Sequence, residues 1–90
     1  MSRLPSRRKG IVSRRVDEEI LLFDPASQQA HFLNPTAEVV WELCDGAHGE
    51  EAIAEEVASR YAVDRGRALE DVRILLGQLR EKGLLEERQI

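Results

Sequence analysis

The side chains able to do chemistry are few in this sequence, and their spacing decides what they could do. Cys44 and His48 stand four residues apart, which could bring a thiolate and an imidazole to one metal ion. A structural zinc site asks for four ligands, and Cys44 is the single cysteine. Cys44 therefore reads as a packed small hydrophobe rather than a metal or redox residue, the usual state of a buried cysteine. His31 falls on an apolar-alternating stretch and reads as exposed or partner-facing. The acidic pairs Glu50-Glu51, Glu55-Glu56 and Glu70-Asp71 sit side by side in helical stretches, so they read as solvated faces and not as an acid/base pair. Gly46 and Gly49 are isolated punctuation, not a phosphate-cradling loop. No catalytic constellation, metal site or cofactor site is expected, and the chain reads as a non-enzyme.

The composition sets the frame for these residues. Ninety residues, 42% hydrophobic and 33% charged, suit one globular domain with a small core. No apolar run approaches the roughly 20 residues that cross a bilayer. The basic start is followed by no apolar stretch of the kind a signal peptide carries. The lone cysteine fits a reducing compartment, so a cytoplasmic location is expected. Charge is unevenly placed: residues 1–15 carry six basic groups and no acid, whereas residues 16–90 carry seven basic and seventeen acidic groups, a net of −10. A phosphate backbone would be repelled by such a body except where the basic start reaches it.

The elements that would position these residues divide at Asn34–Gly46, NPTAEVVWELCDG. Before it, Ile11–Val16, Glu19–Asp24 and Gln29–Leu33 read as strands. The connectors Asp17-Glu18 and Pro25–Gln28 are short enough to force antiparallel hairpins, hence a meander whose first and third strands are edges. Asp24-Pro25-Ala26-Ser27 has turn chemistry. Within the dividing stretch, Asn34 caps a helix that Pro35 opens. Ala37, Val40, Trp41 and Cys44 form its apolar stripe, and Gly46 stops it. Trp41, the only tryptophan, is expected at the centre of the core. A second helix runs from Glu50 to about Ala62 with acids in its first turn. A third, capped by Asp64, runs from about Arg65 to Lys82 with Leu69, Val72, Leu75, Leu76 and Leu79 on one face. Gly83 ends it, Leu84 and Leu85 fold back on the core, and residues 1–10 and 87–90 read as a flexible basic arm and a frayed end.

The fold class is thus α+β: a three-stranded antiparallel sheet followed by a three-helix bundle, similar to a winged helix-turn-helix with its sheet moved to the front. That likeness invites a DNA-binding regulator as the alternative reading. A recognition helix should bring basic and amide side chains to base edges. The third helix is only mildly basic, the second is acidic, and few aromatic residues are available for stacking. Nucleic acid is therefore not the expected partner.

Asn34, Thr36-Ala37, Cys44-Asp45-Gly46, Tyr61, Asp71-Val72, Leu76, Leu79 and Gly83–Leu85 stand in this order along the chain. On these residues the chain resembles the PqqD family, the small peptide chaperones of pyrroloquinoline quinone biosynthesis. Their fold also serves as the RiPP recognition element, which binds the leaders of ribosomally made, post-translationally modified peptides. The resemblance covers about residues 11–86. It departs at Ala47-His48-Gly49, where the family more often has basic residues and a threonine cap. Such a glycine cap weakens a helix start by only a few tenths of a kcal/mol.

The resemblance implies a non-catalytic PqqD-like peptide-binding domain over residues 11–86. It implies that a precursor peptide adds as a strand along Ala30, His31, Phe32 and Leu33. The peptide would lie in a groove lined by Asp71, Val72, Leu75, Leu76 and Leu79 of the third helix. Main-chain hydrogen bonds would supply affinity and the groove selectivity. About half of those helix residues should serve as plain core. A radical-SAM or other peptide-modifying enzyme is the implied second partner, and related modules work in lasso-peptide and other radical-SAM systems. Exposed strand edges also allow a homodimer.

Overall fold

The ends of most elements are set by local signals in the computed structural model, which describes residues 3–89. The order is β1 (Arg3–Arg7), β2 (Val12–Val16), β3 (Glu19–Asp24), β4 (Gln29–Leu33), α1 (Pro35–Leu43), α2 (Glu50–Tyr61), α3 (Arg65–Glu81) and β5 (Leu85–Gln89). The Asn34 side chain accepts from the Ala37 amide at 2.9 Å, capping α1 with Pro35 in its first turn. Asp64 does the same for α3, accepting from the Arg67 amide at 3.2 Å. Gly83, at φ +71°, turns the chain out of α3, and the Leu84 amide donates back to the Leu79 carbonyl at 3.0 Å. No helix of the described residues is long and apolar enough to cross a membrane.

β2, β3 and β4 form an antiparallel meander in that spatial order. The turn after β3 is closed by Asp24, which accepts from the Ala26 amide at 3.0 Å and from Ser27 Oγ at 3.1 Å. The sheet's inner face carries Ile20, Leu22 and Leu33, all buried. α1 joins sheet to helices, packing on β3 and β4 and also on α2 and α3. Trp41, 5% exposed, lies in one core cluster with Leu22, Leu33, Ile53, Val72 and Leu76. The expected α+β order of three-stranded meander then three helices is what the chain adopts.

The chain ends differ from expectation. β1 pairs antiparallel with β5, from Arg3 opposite Gln89 to Arg7 opposite Leu85, so a two-stranded ribbon replaces the flexible arm and the frayed end over these residues. Met1, Ser2 and Ile90 lie outside the described residues. The sequence RLPSR shows no alternation and contains a proline, and its partner lies at the far end of the chain, so no local signal announces the strand. α1 also stops at Leu43, earlier than a stop at Gly46 would put it. Gly46 instead, at φ +79°, turns its amide onto the Pro5 carbonyl at 3.0 Å, receiving β1.

Candidate functional site

Among the described residues β4 pairs with β3 alone, so one side of its backbone is open. A strand edge is a row of unpaired N–H and C=O groups and a template for another strand. Alternation along β4 sorts the side chains. Leu33 is buried opposite Ile20, and His31, half-buried, is opposite the fully buried Leu22, so both lie on the inner face. Ala30 and Phe32 take the outer face, and Phe32 is 58% exposed. β2 is also an edge, but all five of its residues are exposed, so it contributes no buried apolar residue beside its edge.

The five α3 residues expected to line a groove separate into two groups. Val72, Leu76 and Leu79 are buried and belong, with Leu33, to the central core cluster. Asp71 is exposed and Leu75 half-buried, so these two are the accessible members. Sequence reasoning missed Ile74, which is 54% exposed. It lies off the main apolar stripe but shares a helix flank with Asp71 and Gln78, at i+3 and i+7 from the first, and an apolar residue off the core stripe is the signal that could have found it. The other flank of α3 faces α2, where Arg73 Nε meets Glu50 Oε1 at 2.9 Å and Arg65 approaches Glu55 at 3.6 Å. These contacts commit two of the helix's arginines to neighbouring carboxylates, which argues against a recognition helix aimed at DNA.

The remaining candidate residues have other roles. The Cys44 thiol is buried and donates to the Val40 carbonyl at 3.1 Å. His48 Nδ1 lies 2.9 Å from Asp45 Oδ1. That contact and the Ala47 amide hold the Asp45 carboxyl below the usual carboxylate range. Three of the basic residues near the start of the chain are likewise engaged: Arg7 donates to the Trp41 and Glu42 carbonyls, Arg8 pairs with Asp24, and Arg15 with Glu38. Concavities of about 180, 330 and 320 Å³ open between α2 and α3, beside β1, and on the outer face of β2 and β3. What distinguishes the edge of β4 is therefore its open backbone beside an apolar floor and not a deep pocket.

Comparison with known proteins gives a consistent set of likenesses. The family model described as coenzyme PQQ synthesis protein D (PqqD) matches residues 19–85. A PqqA binding protein of Rhodopseudomonas palustris strain BisB5 is 40% identical over 48 residues, covering 53% of this chain and 47% of that protein. Its counterpart in strain TIE-1 is 42% identical over the same length. The chain thus spans about half the length of the curated relatives it matches. Among solved structures, TbiB1 in complex with the TbiA(beta) leader peptide superposes with a TM-score of 0.82 at 26% identity, covering 94% of this chain and 99% of that one. A lasso peptide synthetase B1 complexed with its leader peptide gives 0.81 at 27%, covering 91% and 96%. The PqqD truncation of Methylobacterium extorquens PqqCD, a stand-alone RiPP recognition element, gives 0.77 at 25%, covering 92% and 88%.

Proposed function

The chain belongs to the PqqD family, and from that premise we propose that it is a non-catalytic adaptor that captures the leader of a ribosomally made precursor peptide. The leader adds as a strand along Ala30–Leu33 of β4. It then runs beside the α3 flank that carries Asp71, Ile74 and Leu75, with the buried Val72, Leu76 and Leu79 forming the floor beneath. The bound peptide is presented to a modifying enzyme, of radical-SAM type if the pathway is that of pyrroloquinoline quinone.

The observation that carries this reading is the one-sided pairing of β4 next to buried apolar residues, in a fold shared with two proteins solved as leader-peptide complexes. Strand addition uses that geometry directly: backbone groups give affinity regardless of sequence, and alternate side chains meet the flanking surface. The PqqA-binding relatives support a peptide ligand as well.

The test is an amide NMR titration with the leader of a precursor peptide encoded beside this chain's gene. Shifts concentrated at Ala30–Leu33 and along Asp71–Leu79 are the expected result. Flat spectra at millimolar peptide would remove that peptide from consideration, and shifts along Arg65–Lys82 on adding duplex DNA instead would overturn the reading.

A further inference from the structure

His31 is an anomaly on the inner face of β4. Its Nε2 is fully buried and has no hydrogen-bond partner among the described residues. Around it on the sheet's inner face stand Leu22, directly opposite, and Leu33, two residues on, both buried. Buried polar atoms in folded proteins are nearly always paired, and a leucine of similar size would fill this place without the desolvation cost of an unpaired nitrogen. The imidazole therefore weakens the free protein at a position where β4 is paired on one side only. A strand added to that open side brings a same-face side chain to within about 5 Å of its neighbour.

We propose that His31 is a specificity-determining residue, selecting peptides with a hydrogen-bonding side chain (Ser, Thr, Asn, Gln or a carboxylate) in register with it. An apolar residue stands two positions along, in register with Leu33. The proposal rests on the strand-addition reading above and deepens it: the ligand is an extended segment whose inward-facing positions alternate polar and apolar in this register. The discrimination comes from an unpaired partner. An apolar residue opposite His31 leaves the nitrogen buried and unsatisfied, whereas a polar one relieves it.

The experiment uses a displayed random 12-residue peptide library, selected in parallel on the wild-type protein and on His31→Leu. Synthetic peptides from each pool are mapped by amide NMR. Expected from the wild-type pool are peptides that shift Ala30–Leu33 and share a hydrogen-bonding residue followed or preceded at two positions by an apolar one. The His31→Leu pool should replace the polar residue by an apolar one. A wild-type-selected peptide should bind His31→Leu about tenfold more weakly, while the variant's own thermal midpoint is equal to or above wild type. A merely structural histidine would not produce that opposition. His31→Gln, which keeps a hydrogen-bonding group, should hold affinity within about threefold and serves if the leucine variant fails to fold. Peptides that map to β4 but show no preference opposite His31, or that bind His31→Leu as tightly, overturn the proposal and leave the strand-addition reading standing. Failure to obtain any peptide that maps to β4 overturns both.

Discussion

The Arg7 guanidinium, on the strand nearest the start of the chain, donates from Nη1 to the Trp41 carbonyl at 3.1 Å in the last turns of α1. The same nitrogen lies 2.6 Å from the Glu42 carbonyl, and the Arg7 amide donates to the Cys44 carbonyl at 2.8 Å. α1 has no basic residue in its own last turn, so the cation that suits a helix C-terminus comes from β1. Arg7→Ala should lower stability by about 1–2 kcal/mol, read as a lower urea midpoint at unchanged slope. An unchanged midpoint would mean that the Arg7 guanidinium contributes nothing to the end of α1.

Asp24 links the same segment to the sheet. Burial pushes its carboxyl up, but the Ala26 amide, Ser27 and Arg8 together outweigh that and hold it below its ordinary 3.8. A carboxyl lowered in the folded state stabilises above its unfolded value and loses that contribution as pH falls through the folded one. Asp24→Asn should therefore be less stable than wild type at pH 7, and the difference should shrink as pH drops below about 3.8. Parallel acid titrations followed by circular dichroism check this. A constant gap at all pH values would show that the carboxylate charge is not what matters.

Ala62 ends α2 at φ +52°, in the left-handed region. A side chain there costs about 1 kcal/mol relative to glycine. Ala62→Gly should raise stability by roughly that amount, and a thermal melt that moves downward would contradict the assignment of this residue as a strained cap.

Leu75 separates the two roles of α3. It is half-buried, between the buried Val72–Leu76–Leu79 face and the exposed Asp71–Ile74 flank. Leu75→Ser should cost about tenfold in leader-peptide affinity by calorimetry, since side-chain selectivity in strand addition comes from the flanking apolar surface. Wild-type affinity should also change by less than about threefold between 50 and 200 mM salt, whereas binding through many phosphate contacts would fall by about 10³ or more. A steep salt slope would return the DNA-binding reading to consideration.

The sequence was most informative where structure is local. Asn34, Asp64 and Gly83 each mark a helix end by side chain or backbone type, and each sits where those types predict. The two short connectors forced the meander, and the motifs from Asn34 to Leu85 identified the family. Cys44 was legible as a packed small hydrophobe, and its thiol is buried against the Val40 carbonyl. Ile74 and the ribbon were not legible. A helix's apolar stripe says which face is buried, but not how far along its margin a neighbour reaches.

The sequence by itself thus determined the order of the three-stranded meander and the three helices, the caps at Asn34 and Asp64 and the candidate edge strand, because caps, turns and alternation act over a few residues. Only the tertiary structure decided that the basic start is a strand held by β5, since pairing across more than 70 residues leaves no local pattern. It likewise decided which α3 residues are core and which remain open, because burial depends on where α2 covers the helix. And it decided that the His31 Nε2 is buried without a partner among the described residues, a property of surroundings assembled from β3 and β4 and not of the residue type.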